Sequence, residues 1–157
     1  MVSSPSERAH IGGNDGALTV DLSAVIEVLF IDDEPSVLSG LRRMLRGQRD
    51  RWNMTFIDAP TEALRLLATQ HFDAIVSDYR MHGVNGGDIL TLARRRQPTA
   101  ARLILSGQVD TDDIDRLSTL AHCCLTKPCE GPVIVAAVEE AVSAIRASAP
   151  GTDPVAG

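Results

Sequence analysis

The sequence predicts an α/β fold: a single doubly wound (βα)5 domain built on a parallel five-stranded sheet. Two observations carry this reading. Strand-like apolar runs and helix-like amphipathic runs alternate five times between about residues 25 and 146. The five β-α units are long enough for a helical crossover between parallel strands, which puts helices on both faces of the sheet. In such sheets the ligand site lies beyond the C-terminal ends of the strands, where the strand order reverses.

The first strand, about Val25–Ile31, is a β-branched and aromatic run of the kind that is buried. The first helix starts near Pro35, a residue suited to a first helical turn, and carries Val37, Leu38, Leu41, Met44 and Leu45 on one face until Gly47 closes it. The second strand is about Asn53–Ile57. The second helix starts near Pro60 and is expected to bury Ala63, Leu64, Leu67 and Ala68. The third strand, Ala74–Ser77, is bounded by Asp73 and Asp78; the third helix, about Gly87–Arg96, turns Ile89, Leu90 and Leu92 or Ala93 inward. The fourth strand is Arg102–Leu105. Its helix starts within Asp110–Asp115 and is expected to bury Ile114, Leu117, Leu120 and Ala121. A short fifth strand, Cys123–Leu125, leads to a helix over Pro132–Ile145 that buries Ile134, Val138, Ala141, Val142 and Ile145. Residues 1–24 read as a flexible N-terminal extension and residues 147–157 as a flexible tail or linker stub, from their Ser, Gly, Asp and Pro content.

The 157-residue length suits one domain, and 44% apolar with 23% charged residues is the balance of an ordinary globule. A net charge of −6 and a pI near 5.1 argue against non-specific binding to nucleic acid or an anionic membrane. No apolar run has the length of a membrane span, and the N-terminus lacks the basic-then-apolar order of a signal peptide, so the expected location is cytoplasmic. Cys123, Cys124 and Cys129 are odd in number and clustered, which suits reduced thiols.

The functional question is what each strand carries at its C-terminal end. The first ends in Asp32-Asp33-Glu34, the third in Asp78, the fourth in Ser106-Gly107 and the fifth in Thr126-Lys127-Pro128. Crowded carboxylates repel one another unless a cation sits among them, and hard oxygen ligands suit Mg²⁺. An ammonium and a hydroxyl can each take a phosphoryl oxygen, and one carboxylate is then free to act as nucleophile. Phosphoryl transfer asks the protein mainly for positioning and charge neutralisation, which this set provides. Glu34, just before Pro35, suits a helix start better than a metal. The acidic run Asp110, Asp112, Asp113, Asp115 fails as a calcium loop, because Ile114 takes a ligand position and no turn glycine is present. Gly83, Gly86 and Gly87 do not form a dinucleotide fingerprint and read as a flexible loop beside Asp78. The cysteines lack well-spaced histidine partners for zinc, and His122-Cys123-Cys124 is expected to pack around the fifth strand.

The segments VLFIDDEP, VSDYRMHGVNG, LILSGQ and LTKP, in that order, resemble the four signature segments of the receiver domain of two-component response regulators. The resemblance covers about Val25 to Ile145 and implies a flavodoxin-like sheet of order 2-1-3-4-5. It implies Asp78 as phosphoacceptor. It also implies Mg²⁺, with Mn²⁺ as the alternative ion, on Asp33, Asp78 and the backbone carbonyl of Arg80, with Asp32 acting through water. Lys127 would contact the phosphoryl group, Ser106 would swing toward it, and Lys127-Pro128 would be a cis peptide. Arg80 and Gln108 would tune the life of the phosphoryl group, Arg80 by screening it from water. The implied partners are a sensor histidine kinase or phosphotransfer protein, and a downstream protein or fused output domain. A homodimer through the fourth helix, fifth strand and fifth helix is a further implied association. No helix-turn-helix is present to support direct DNA binding. The implied role is a bacterial signalling switch that catalyses only its own phosphorylation and dephosphorylation.

Two residues depart from the family pattern. His82 stands where proline is usual, which is expected to loosen the loop after Asp78. Cys124 stands where many receivers carry Tyr or Phe, so any readout through a serine–aromatic pair must differ or weaken. These departures keep open a receiver-like binding module that is not phosphorylated. An aspartate-nucleophile phosphatase would need a second Asp two residues after Asp78, where Arg80 stands. The pattern LSGQ…AH…LTKPC also resembles receivers fused to HD-type hydrolase output domains, including cyclic-dinucleotide phosphodiesterases, so an excised receiver of a longer protein is a further reading.

Overall fold

The structure is a computed structural model and describes residues 24–148; of the expected extension only residue 24, and of the expected tail only residues 147 and 148, lie within them. The first strand, β1, covers Ile26–Ile31, and its Val28, Leu29 and Phe30 are wholly buried. Burial on both faces is what a parallel strand between two helical layers requires. The chain continues through α1 (Pro35–Met44), a 3₁₀ turn (Arg46–Gln48), β2 (Trp52–Ile57), α2 (Pro60–Thr69) and β3 (Ala74–Ser77). It then forms α3 (Gly86–Arg96), β4 (Ala101–Ser106), α4 (Thr111–Leu120), β5 (Cys123–Thr126) and α5 (Gly131–Ala147). All pairings are parallel and the order is β2-β1-β3-β4-β5, so the order reverses between β1 and β3.

Strand alternation divides the core in two. Val28, Phe30, Val76, Leu103 and Leu105 point to one face, where α1 adds Leu38 and Leu41 and α5 adds Ile134, Val138 and Val142. Leu29, Ile31, Ile75 and Ile104 point to the other, against Ala63 and Leu67 of α2, Ile89, Leu90 and Ala93 of α3, and Leu117 and Leu120 of α4. The buried Gln97 amide joins two helices: Oε1 accepts from Phe72 N at 2.8 Å, and Nε2 donates to the Leu67 and Gln70 carbonyls at 3.0 and 2.7 Å.

Three residues expected inside are not. Ile114 is 50% and Met44 47% exposed, and Ala68 is exposed. On α4 the inward stripe is Asp113, Leu117 and Leu120, the i, i+4, i+7 set, so Ile114 is turned about 100° away from it. On α1, Leu38 and Leu41 fill the stripe and Leu45, beyond the helix end, completes it. Met44 instead lies against Gly131 at the start of α5. Ala147, expected in the tail, is the last residue of α5. At the fifth strand Cys123 packs on the core but Cys124 is exposed, and all three cysteines are free thiols. His122 pairs with β4 instead of packing apolar surface: its Nδ1 accepts from Arg102 N at 2.9 Å. No helix among the described residues is long and apolar enough to cross a membrane.

Candidate functional site

Ile31 stands opposite Ser77 in the β1–β3 ladder, so the next residues, Asp32 and Asp78, leave the sheet side by side. Asp78 N donates to Ile31 O at 2.9 Å and holds that register one residue past the strand. On the other side Ser106 stands opposite Thr126, and Lys127 N donates to Ser106 O at 2.9 Å. Four strand ends thus converge where the order reverses. The Lys127–Pro128 peptide is cis.

Asp32 is nearly buried and fully engaged. Its Oδ2 accepts from Lys127 Nζ at 2.7 Å and its Oδ1 from Glu34 N at 3.0 Å. Glu34 occupies the N-cap position of α1, but its side chain makes no capping bond; its carbonyl accepts from Val37 and Leu38 N–H instead. Lys127 Nζ also lies 3.6 Å from Asp78 Oδ1. Burial works to lower the Lys127 pKa, but the hydrogen bond and charge of Asp32, with Asp78 behind it, prevail and hold the ammonium above its ordinary range. Asp78 shifts the other way for a carboxylate. Burial, then the Asp32 charge, push it up, against Lys127, the Ser106 hydroxyl and the Tyr79 N–H. That N–H donates to Asp78 Oδ1 at 2.9 Å. Ser106 is buried, and its Oγ donates a long 3.4 Å bond to Gln108 O.

Asp32, Asp33 and Asp78 each offer an oxygen within 4.8 Å of the others. Three carboxylates beside one ammonium leave two formal negative charges in excess, the charge of one divalent cation. An all-oxygen donor set with that charge fits Mg²⁺ or Mn²⁺. The cluster opens into a cleft of about 400 Å³ lined by Asp33, Glu34, Asp78, Arg80, Met81 and His82.

His82, at the position expected to loosen the loop after Asp78, bonds Asp33. Its N–H donates to Asp33 Oδ2 at 2.9 Å, and its Nδ1 lies 2.7 Å from the same oxygen. The backbone bond is the main reason the Asp33 carboxyl lies below the usual carboxylate range; burial opposes it, and the imidazole adds to it. The Arg80 guanidinium turns away from the carboxylates to Asp110 Oδ1, 2.6 Å away, where Asp110 is the N-cap residue of α4. Cys124 is exposed on β5 and outside the cluster.

Gly83, Gly86 and Gly87, expected in one flexible loop, divide between that loop and α3. Only Gly83 is in the left-handed region, at φ 84°. Gly86 and Gly87 are the buried first residues of α3, started by a capping box in which Asn85 and Asp88 bond each other's backbone N–H. The N-x-x-D pattern at Asn85–Asp88 was a readable signal for it. Gly86 N donates to Tyr79 O at 2.7 Å, and a Cβ there would collide with the Asp78 carbonyl and stand 2.9 Å from Tyr79 Cα. Gly86→Ala is therefore expected to destabilise the domain by about 1–3 kcal/mol in urea unfolding and to displace Asp78. An unchanged midpoint would count against this close approach.

Residues 28–139 match the response regulator receiver domain family. The chain is 34% identical over 87 residues to the hydrogenase transcriptional regulatory protein HoxA of Cupriavidus necator, covering 55% of this chain and only 17% of that protein. Its fold is like that of the signal receiver domain of an HD domain-containing protein from Pseudomonas fluorescens Pf-5 (TM-score 0.72, 22% identity, 79% of this chain and 99% of that one). It is also like the receiver domain of sensor histidine kinase PA1611 from Pseudomonas aeruginosa PAO1, which has magnesium coordinated in its active site cleft (TM-score 0.67, 20% identity, 76% of this chain and 99% of that one).

Proposed function

The chain belongs to the response regulator receiver domain family, and from that premise we propose that it is a phosphorylatable switch with Asp78 as its phosphoacceptor. The observation that carries the reading is the convergence of Asp32, Asp33 and Asp78 within 4.8 Å, with Lys127 Nζ reaching both Asp32 and Asp78. Asp33, Asp78 and the Arg80 carbonyl would hold Mg²⁺, or Mn²⁺ in its place, with Asp32 acting through water. When bound, the ion neutralises charge on the transferring phosphoryl group.

Asp78 supplies the attacking carboxylate oxygen. A new O–P bond forms as the P–N bond to a phosphohistidine donor breaks, and the electron pair leaves on the imidazole nitrogen, which takes up a proton. Burial of Asp78 strips water from that oxygen and raises its carboxyl, and the Lys127 charge works against that rise. With Asp78 modified, Lys127 and Ser106 would hold the phosphoryl oxygens, Lys127 by charge and Ser106 by a hydrogen bond. Arg80 and Gln108, two residues past Asp78 and Ser106, would tune the lifetime of the product.

The donor would be a sensor histidine kinase or phosphotransfer protein in the cytoplasm. The output would be a partner protein or an attached domain; the matched relative HoxA is by its name a transcriptional regulator, and the chain spans about a sixth of its length. Exposed Cys124 on β5 offers no aromatic ring, so the change at Asp78 would have to reach α4 by another route. The Arg80–Asp110 pair is one such link.

Incubation with a small phosphodonor and Mg²⁺ tests the reading by intact mass. The wild type should gain one phosphoryl group, and neither Asp78→Asn nor wild type with chelator should gain any. A wild type that gains none would favour a receiver-like binding module instead.

A further inference from the structure

The Asp33 carboxylate is bonded by one residue twice. Its Oδ2 accepts from the His82 backbone N–H at 2.9 Å and lies 2.7 Å from His82 Nδ1. Beside a carboxylate at that distance, the imidazole nitrogen is a donor. The His82 side chain is otherwise fully exposed, so it packs nothing, while the Asp33 side chain is only 13% exposed. The two residues are 49 apart in sequence and belong to different loops, one after β1 and one after β3. Neither bond exists in a chain with proline at this position: proline has no N–H and no ring donor.

We infer that His82 is a positioning residue for Asp33: its two N–H groups fix one carboxylate oxygen and leave the other for the divalent ion. The inference rests on the reading of Asp33 as a metal ligand. Two effects compete. Donors on Oδ2 draw electron density from the carboxylate and weaken its hold on a cation. They also fix its orientation and tie together the two loops that line the cleft. Orientation dominates, because loss of outer-shell hydrogen bonds typically lowers metal affinity about 10- to 100-fold.

Mn²⁺ titration of wild type, His82→Ala and His82→Pro, read from the free-ion electron paramagnetic resonance signal, separates the two donors. Alanine removes the imidazole and keeps the backbone N–H; proline removes both. Alanine should weaken Mn²⁺ binding about three- to fivefold, the worth of one exposed hydrogen bond. Proline should weaken it about tenfold or more. A second readout follows the imidazole itself. At a pH well above the ordinary histidine range, long-range ¹H–¹⁵N spectra should show His82 protonated at Nδ1 in wild type, a preference lost in Asp33→Ala. This readout reports whether the bond exists, and the Mn²⁺ titration reports what the bond does for the ion.

If wild type binds Mn²⁺ and both variants match it within about twofold, the inference falls and the metal reading stands. An unchanged His82 tautomer in Asp33→Ala overturns it as well. If wild type binds no Mn²⁺, the metal reading fails and the inference falls with it. His82→Ala keeps the test decisive if the proline variant does not fold.

Discussion

Lys127→Ala is expected to destabilise the metal-free domain by about 2–3 kcal/mol and to abolish most phosphorylation. Asp32 is 2% exposed and its Oδ2 bonds the ammonium at 2.7 Å, so the substitution leaves a buried charge facing Asp78 with nothing positive near it. Breaking a buried pair from one side typically costs about 3–5 kcal/mol. The figure is lower here because Lys127 is 24% exposed and water can enter. Its linkage to pH has a definite sign. Because the folded-state pKa of Lys127 is raised, its contribution is complete below the ordinary lysine range and is lost as pH rises through the folded value. Urea unfolding in chelator measures the deficit. Excess Mg²⁺ should narrow it, since a divalent ion among the carboxylates replaces the missing positive charge. Equal midpoints for wild type and Lys127→Ala in chelator would refute this account of the pair.

Asp78→Asn is expected to raise stability at neutral pH by about 1 kcal/mol while removing the phosphoacceptor, the usual trade between stability and function. Its carboxyl is pushed up by burial and then by Asp32. A raised carboxyl binds its proton more tightly in the folded state. Stability is therefore lost as pH rises from the ordinary aspartate range through the folded value, and the charged form burdens the fold above it. The gain in Asp78→Asn should be present at neutral pH in chelator and vanish in acid, where both states of the wild type are protonated. Excess Mg²⁺ should erode it from the other side, because the wild type binds the ion better. A variant no more stable than wild type at neutral pH in chelator would contradict the burden that burial and Asp32 place on the ionised Asp78.

The alternation of elements was legible because it rests on local patterns. Val28 to Ile31 is a run only a buried strand uses well, and Pro35 and Pro60 begin helices where a missing N–H costs nothing. Local pattern does not determine which face of a helix turns inward, because that depends on its neighbours. Ile114 fits an apolar stripe along α4, yet the helix turns Asp113, Leu117 and Leu120 inward. Ala68 and Met44 fail for the same reason. The glycines after Asp78 suggest slack by composition, but at Gly86 the α3 backbone comes so close to Asp78 that a Cβ would collide with its carbonyl.

The candidate site divides along the same line. Which residues end each strand — Asp32, Asp78, Ser106, Lys127 — was visible from apolar runs and their polar stops, because a strand's end is a local event. The strand order came only through resemblance, since periodicity carries no information about which strands are neighbours. The tertiary structure decided which polar groups meet. Lys127 bonds Asp32 across 95 residues and lies farther from Asp78. Arg80 turns to Asp110, and His82 takes hold of Asp33 across 49 residues. Pairings of that range depend on sheet register and on how two loops pack at the strand ends. The residue types at 33 and 82 offered a carboxylate and two N–H donors; packing of the loops after β1 and β3 brought them within 3 Å of each other.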